Sequence, residues 1–276
     1  MITGYQRPSG QFGARNHILV LPSVVCATVV AASIAQQDAV AITHQHGCAQ
    51  VGDDVTYTKR VFASLGVHPN VGGVLVVSLG CETVQGGALA ETIEHDGGAV
   101  RFVGIQSAGG TLEAVSRGQV MLAELLSNAA LVERRDGEAS DVVVGLDSAD
   151  APFAGALVEL ARAVGFHVVL PRGDVETGPT CHADLAAAGA QVIVSLLGPN
   201  ETAMGFPICP VVSVTGDRDL YEAMPQEFDL LASGLGDTDV ATSIWRVVVE
   251  AFNGLETATE RRGASDLLLR RLSRSM

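Results

Sequence analysis

The sequence predicts an α/β protein of two Rossmann-like lobes, each a mostly parallel sheet of about four strands flanked by helices. Short uncharged runs rich in β-branched residues, clearest in Val74-Leu75-Val76-Val77-Ser78-Leu79, alternate with longer stretches of helical spacing. The composition, 47% hydrophobic and 4% aromatic with abundant glycine, suits strands buried on both faces beneath alanine-rich helices. The alternation begins afresh after the charged stretch Glu133 to Asp141. That stretch divides the chain into a first lobe with an N-terminal arm (residues 1–137) and a second lobe with C-terminal helices (residues 138–276).

Residues 1–16 hold Pro8 and glycines at 4, 10 and 13, and they read as an irregular arm. A strand follows from His17 to Val24, and Cys26 opens the helix after it. Ile18 to Ala35 carries no charge over 18 residues, but Pro22-Ser23 splits it into a β-branched half and an alanine-rich half. Strand, turn and helix fit that division better than a membrane span. A second strand, Ala39 to Thr43, ends in His44-Gln45-His46-Gly47-Cys48, and a helix from Asp53 to Leu65 leads into the turn Gly66-Val67-His68-Pro69-Asn70. The strand quoted above comes third. It breaks at Gly80 and then presents Cys81 beside Glu82. Gly86 to His95 reads as a helix and Ala99 to Ile105 as a strand. Gln106-Ser107-Ala108-Gly109-Gly110-Thr111 follows as a turn whose backbone N–H groups could meet an anion, and a helix from Thr111 to Leu131 completes the lobe.

In the second lobe the strands are Asp141 to Leu146, His167 to Leu170, Gln191 to Leu197 and Val211 to Thr215, with helices Ala154 to Val164 and Cys181 to Ala188. Aligned by strand number, Val76 to Thr83 stands opposite Ile193 to Thr202. The second copy therefore keeps the strand and the glycine but has Pro199-Asn200 in place of the thiol. Asp217 to Gly236 reads as an acidic loop and Asp239 to Asn253 as a helix. Arg261, Arg262, Arg270, Arg271 and Arg274 mark a helical basic tail, either a solvated face or a subunit contact.

Charge and cysteine usage narrow the function. With 31 acidic against 17 basic residues the net charge is −14, which excludes nucleic acid as a partner because phosphate binding needs a basic surface. An anionic substrate would need local help from a metal, helix N-termini or a few arginines. Five cysteines, an odd number without a paired framework, point to free thiols in a reducing, cytoplasmic compartment. The N-terminus is not that of a signal peptide, and no membrane association is expected.

The candidate chemistry lies at strand tips. Cys26, His44, His46, Cys48, Cys81 and Glu82 all fall at or just after the carboxyl ends of the first three strands, where open parallel sheets collect ligands. Thiolate, imidazole and carboxylate together could hold a divalent transition metal in an open site, or serve as acid and base without one. Cys26, at a helix start, is a candidate ligand or nucleophile, or a small core residue. His68, His95, His167, His182, Cys181 and Cys209 receive a structural reading.

A set of motifs also resembles a known family. Gly4-Tyr5-Gln6-Arg7-Pro8, Gly13-Ala14-Arg15-Asn16-His17, Leu21-Pro22-Ser23-Val24-Val25-Cys26, His46-Gly47-Cys48, His68-Pro69-Asn70, Leu79-Gly80-Cys81-Glu82 and Phe206-Pro207-Ile208-Cys209-Pro210 occur here in the order seen in the large catalytic part of the altronate and galactarate dehydratases. The sulfolactate sulfo-lyase large subunit belongs to the same group. The resemblance implies a hydro-lyase that removes water from a small anionic sugar acid. It also implies dependence on a divalent metal, Fe(II) first, with Mn(II), Mg(II) or Zn(II) as the other candidates. The expected assembly is a homo-oligomer, with a separate small subunit in some members.

By that analogy His46, Cys48 and Glu82 are candidates for catalysis, and Cys81, His46, Cys48 and Cys26 for the metal. Arg15, Asn16, Gln106, Ser107 and Gly109 are candidates for the substrate. Arg15 and Asn16 precede the first strand, so they either anchor the arm or reach a neighbouring subunit's site. The chain departs from the family by being shortened in the middle, with Gly145-Leu146-Asp147-Ser148-Ala149-Asp150 where the family carries Gly-Gly-Ser-Asp. A non-catalytic or partner-dependent binding subunit is therefore the alternative.

Overall fold

The computed structural model describes residues 1–147, 154–171, 178–233, 236–263 and 265–272. The first lobe is built on a parallel sheet in the order β4-β3-β5-β6, formed by β3 (His17–Pro22), β4 (Val40–Ala41), β5 (Val71–Ser78) and β6 (Val100–Gly104). The register pairs Leu19 with Val40 and Val74, and Val76 with Phe102. Successive side chains of a strand point to opposite faces, and this lobe buries both. Ile18, Val20, Leu75 and Val77 meet α1 (Thr28–Ala35) and α5 (Thr111–Ala129). Leu19, Leu21, Val74 and Val76 meet α2 (Asp53–Gly66) and α3 (Gly86–His95).

The second lobe carries a parallel sheet in the order β12-β11-β10-β8-β9, from β8 (Val143–Asp147), β9 (His167–Val169), β10 (Val192–Leu197), β11 (Val211–Thr215) and β12 (Leu230–Leu231). One face packs on α6 (Ala154–Val164) and α9 (Asp237–Phe252) through Leu157, Trp245 and Val248. The other packs on α7 (Pro179–Ala187), whose Leu185 and Ala186 share a core with Phe62, Leu65 and Ile93 of the first lobe. Both lobes are thus the expected parallel α/β units, joined along one continuous apolar layer. β12 lies in a segment expected to be loop, because two residues are too few to show a period. That segment also holds α8 (Arg218–Ala223), capped by Asp217 accepting from the Leu220 N–H at 3.0 Å.

Other expectations change. The arm is not irregular: β1 (Ile2–Gln6) and β2 (Phe12–Gly13) form an antiparallel sheet with β7 (Arg134–Gly137), in the order β2-β1-β7. Ile2 pairs with Gly137 and Tyr5 with Arg134. The expected lobe boundary is therefore itself a strand. Its charged sequence hides the pairing, because a partner more than a hundred residues away leaves no local period. The turn after β6 is a short helix, α4 (Ile105–Ala108), ended by Gly109 at φ 98°.

The basic tail is helical only over α10 (Ala258–Arg261), after which Gly263 at φ 63° ends the helix and residues 265–272 run extended. Buried Leu267 and Leu269 flank exposed Leu268, the two-residue period of an extended segment seated on the first lobe. Arg261, Arg262 and Arg270 are paired with Asp229, Glu227 and Asp184, so they are not a bare solvated face. Arg274 and Ser148 to Asp150 lie outside the described residues. Among the described residues no helix is long and apolar enough to cross a membrane.

Candidate functional site

The tips of β4, β3 and β5 are neighbours in the first sheet, and their loops are stitched together by the backbone. The Val25 N–H donates to His46 O at 2.9 Å, and the Thr83 N–H donates to Gly47 O at 2.9 Å. Gly47, at φ 89°, sits where a Cβ would lie 2.1 Å from Ser23 O, so the loop reaches the first tip only with glycine there. Cys26, Cys48 and Cys81 are exposed free thiols on these three loops.

Glu82 is buried, and its carboxylate closes the turn. Oε2 accepts from the Gly80 N–H at 2.6 Å, and Oε1 accepts from Ser23 Oγ at 3.0 Å and the Gly86 N–H at 3.4 Å. Burial alone would raise its pKa, but these hydrogen bonds hold it below the ordinary carboxylate value. The second lobe repeats the device, with Glu201 Oε2 accepting from the Gly198 N–H at 2.8 Å.

His44 is a buried framework residue. Nε2 is 2.7 Å from Pro22 O, Nδ1 accepts the His46 N–H at 3.1 Å, and burial lowers its pKa to about 4. His46 is half-buried and lines a cleft of about 610 Å³ between the tips and the C-terminal segment, together with Thr28, Thr43, Asp266 and Arg271. Burial, and next the charge of Arg271, lower its pKa. Gln50 fixes its tautomer. Oε1 of Gln50 accepts the Gly47 N–H at 3.0 Å, so its amide nitrogen is the group 3.1 Å from His46 Nδ1. Nδ1 then accepts, and the ring proton sits on Nε2.

Of the other sequence candidates only Gln106 reaches these tips. Gln106 joins the third tip: its backbone N–H donates to Leu79 O at 3.2 Å, and its side chain packs against Gly80. Ser107 Oγ donates to Gly104 O at 3.1 Å, and Gly109 ends α4. Arg15 and Asn16 precede β3, at the opposite end of the strands, and both are committed to internal partners. Arg15 pairs with Glu260 at 2.8 Å and donates to Ala251 O and Leu255 O. Asn16 accepts from Arg7 at 2.7 Å and donates to Ala129 O at 2.9 Å. The His-Pro-Asn motif joins the lobes: Asn70 Nδ2 donates to Gln191 O and Ile208 O, both at 2.8 Å, and His68 Nε2 lies 3.1 Å from Ala190 O.

Sequence reasoning passed over a second constellation. Asp147, at the carboxyl end of β8, meets Cys181 and His182 in the first turn of α7, and all three are buried. Among the described residues these form the one group of three ligand-type side chains whose ligand atoms all lie within 4.8 Å of one another. The tip position of Asp147 was a usable signal, since it occupies the place in the second sheet that the thiol loops occupy in the first. The adjacency of Cys181 and His182 carried none until a helix turned both toward that tip.

Comparison with known proteins agrees with the motifs. Residues 4–130 match the family described as D-galactarate dehydratase/altronate hydrolase, second domain, and residues 159–275 match D-galactarate/altronate dehydratase, C-terminal. Over 156 residues the chain is 31% identical to an altronate dehydratase of Bacillus subtilis and 32% identical to one of Escherichia coli. Each alignment takes in 52% of this chain but only 31% of the relative's length. Over 108 residues it is 32% identical to the (2R)-sulfolactate sulfo-lyase subunit beta of Chromohalobacter salexigens, covering 38% of this chain and 27% of that one. With both of its lobes matched by successive domains of one family, the chain belongs to the altronate/galactarate dehydratases.

Proposed function

We propose that this protein is a sugar-acid hydro-lyase that removes water from an aldonate or aldarate to give a 2-keto-3-deoxy acid. The observation that carries the reading is a tautomer-fixed histidine and Arg271 lining one cleft, with exposed thiols on the three neighbouring, backbone-tied loops at its edge. Arg271 supplies the positive charge that an acidic protein must place locally to hold a substrate carboxylate. His46, neutral at pH 7 with its proton on Nε2, hydrogen-bonds the β-hydroxyl as a donor and keeps that proton as the hydroxyl leaves as hydroxide. Glu82 keeps the Cys81 loop in place from below, ionised and buried, as a positioning residue.

Thiolates suit a divalent first-row ion, and Cys26, Cys48 and Cys81 are the residues that would hold it. Such an ion supplies Lewis acidity for the charge that develops when the proton alpha to the carboxylate leaves. His46 is better suited to donate a hydrogen bond than to ligate a metal, since ligation through Nε2 would need the proton on Nδ1, against the Gln50 amide.

The test uses the full chain, purified without oxygen and loaded with Fe(II), in a screen of aldonates and aldarates for 2-keto-3-deoxy product. Turnover by the wild type, with at least a hundredfold lower kcat in His46→Ala and Cys81→Ala, is the expected result. No product from any acid by metal-loaded protein would overturn it. A second reading, a partner-dependent subunit, is supported by the 31% and 27% coverage of the relatives, one of which is named as a subunit. Turnover by the isolated chain refutes that reading; activity that appears only on adding a partner chain supports it.

A further inference from the structure

We infer that the second lobe holds its own divalent transition-metal site, formed by Asp147, Cys181 and His182 and sharing no residue with the thiol loops of the first lobe. One ligand atom from each of the three residues lies within 4.8 Å of the other two, a spread that a single ion can span. Asp147 Oδ1 lies 3.2 Å from Cys181 Sγ, and Oδ2 lies 3.0 Å from His182 Nε2. Bonds of about 2.0 Å to oxygen and nitrogen and about 2.3 Å to sulfur bring three ligands of one ion to within about 4 Å of one another.

The groups that would orient the carboxylate around an ion are already in place. The Gly178 N–H donates to Oδ1 at 2.7 Å, and Ser195 Oγ, from the neighbouring strand, donates to Oδ2 at 3.1 Å. Such outer contacts fix a ligating carboxylate while leaving lone pairs for the metal. The His182 ring has no second tie, because its buried Nδ1 lacks a hydrogen-bond partner among the described residues. Moving the ring proton from Nε2 to Nδ1, which ligation through Nε2 requires, therefore breaks no hydrogen bond among the described residues except the one to Asp147 that the metal replaces. The charges also balance: binding expels the Cys181 thiol proton to solvent, and one dication then faces one thiolate and one carboxylate around a neutral imidazole. Nitrogen, sulfur and oxygen donors in this ratio select a zinc-like or ferrous ion over magnesium or calcium. Buried on all sides, the ion would pin the β8 tip to the start of α7 as a structural clamp.

Cobalt(II) tests this in the full-length Cys26→Ser, Cys48→Ser, Cys81→Ser triple variant, which leaves Cys181 and Cys209 as the remaining thiols. The expected result is one cobalt per chain, one proton released, and a thiolate-to-cobalt charge-transfer band in the near ultraviolet. Adding Cys181→Ser should abolish the band, and Ser195→Ala should weaken binding by about tenfold. Titration of the triple variant leaves the cluster itself intact, so lack of a band with folded protein overturns the site outright. A band that survives Cys181→Ser overturns it equally, by assigning the metal to other groups. Dehydratase activity is not read, so the outcome is independent of the sugar-acid reading.

Discussion

At the residue scale, side chains that look reactive in sequence divide into those that act and those that hold the actors in place. Glu82 is the clearest of the second kind. Its carboxylate receives two backbone N–H groups and a hydroxyl, so Glu82→Gln exchanges a charge-assisted acceptor for a neutral amide and should cost about 1–3 kcal/mol at pH 7. Its folded pKa is depressed, so the stability it adds is present above the unfolded value of about 4.3 and is lost as pH falls through the folded value. Denaturant melts of wild type and Glu82→Gln at several pH values should therefore converge in acid; a gap that stays constant with pH would contradict the assignment. Gly47 is legible as a glycine but not as an obligatory one until Ser23 O is seen beneath it. Gly47→Ala combines a contact of 2.1 Å with a positive φ and should cost at least about 2 kcal/mol, with the thiols of the rim displaced. Thermal melting and the rates of thiol labelling measure the two effects.

At the scale of elements, the family motifs sort by which end of the sheet they occupy. Those after β3 and β4 line the cleft and the one after β5 is tied to them by the backbone, whereas those before β3 and β5 build a joint. Arg7 braces the first-lobe side of that joint: its guanidinium donates to Pro69 O at 2.6 Å, to Asn16 at 2.7 Å and to Arg15 O at 3.0 Å. Asn70 completes the joint by accepting the Ala14 N–H at 2.8 Å while its amide holds two carbonyls of the second lobe. Asn70→Ala would strand three buried backbone groups and should cost about 3 kcal/mol or more, read as a lower denaturation midpoint. The C-terminal segment carries a different expectation. Leu269→Ala removes an apolar anchor beside the cleft and should cost about 2–4 kcal/mol if the segment unfolds with the rest of the molecule. A segment that detaches locally would instead show faster hydrogen exchange over residues 265–272 with an unchanged melting temperature.

For the whole molecule, the shared layer between the sheets predicts a single cooperative transition. Phe62, fully buried in the first lobe, packs in the same core as Leu185, Ile193 and Ile208 of the second. Phe62→Ala should lower the stability of both lobes together by about 3–5 kcal/mol, seen in calorimetry as one shifted peak. Two peaks, of which only one moves, would show that the lobes unfold independently. The sequence by itself determined the repeating β and α elements, both sheets, their parallel character and the loops that carry the thiols. Each of these rests on local periods of two or 3.6 residues and on glycines at strand ends, which need no knowledge of distant partners. Tertiary structure alone decided the rest. It turned the arm and the charged stretch near residue 135 into one antiparallel sheet and laid the basic tail along one wall of the cleft. It also made Glu82 a buried clamp and brought Asp147 to Cys181 and His182. These outcomes depend on pairings between residues far apart in the chain, whose energies come from desolvation and hydrogen-bond geometry, and neither has a period that a linear sequence can display.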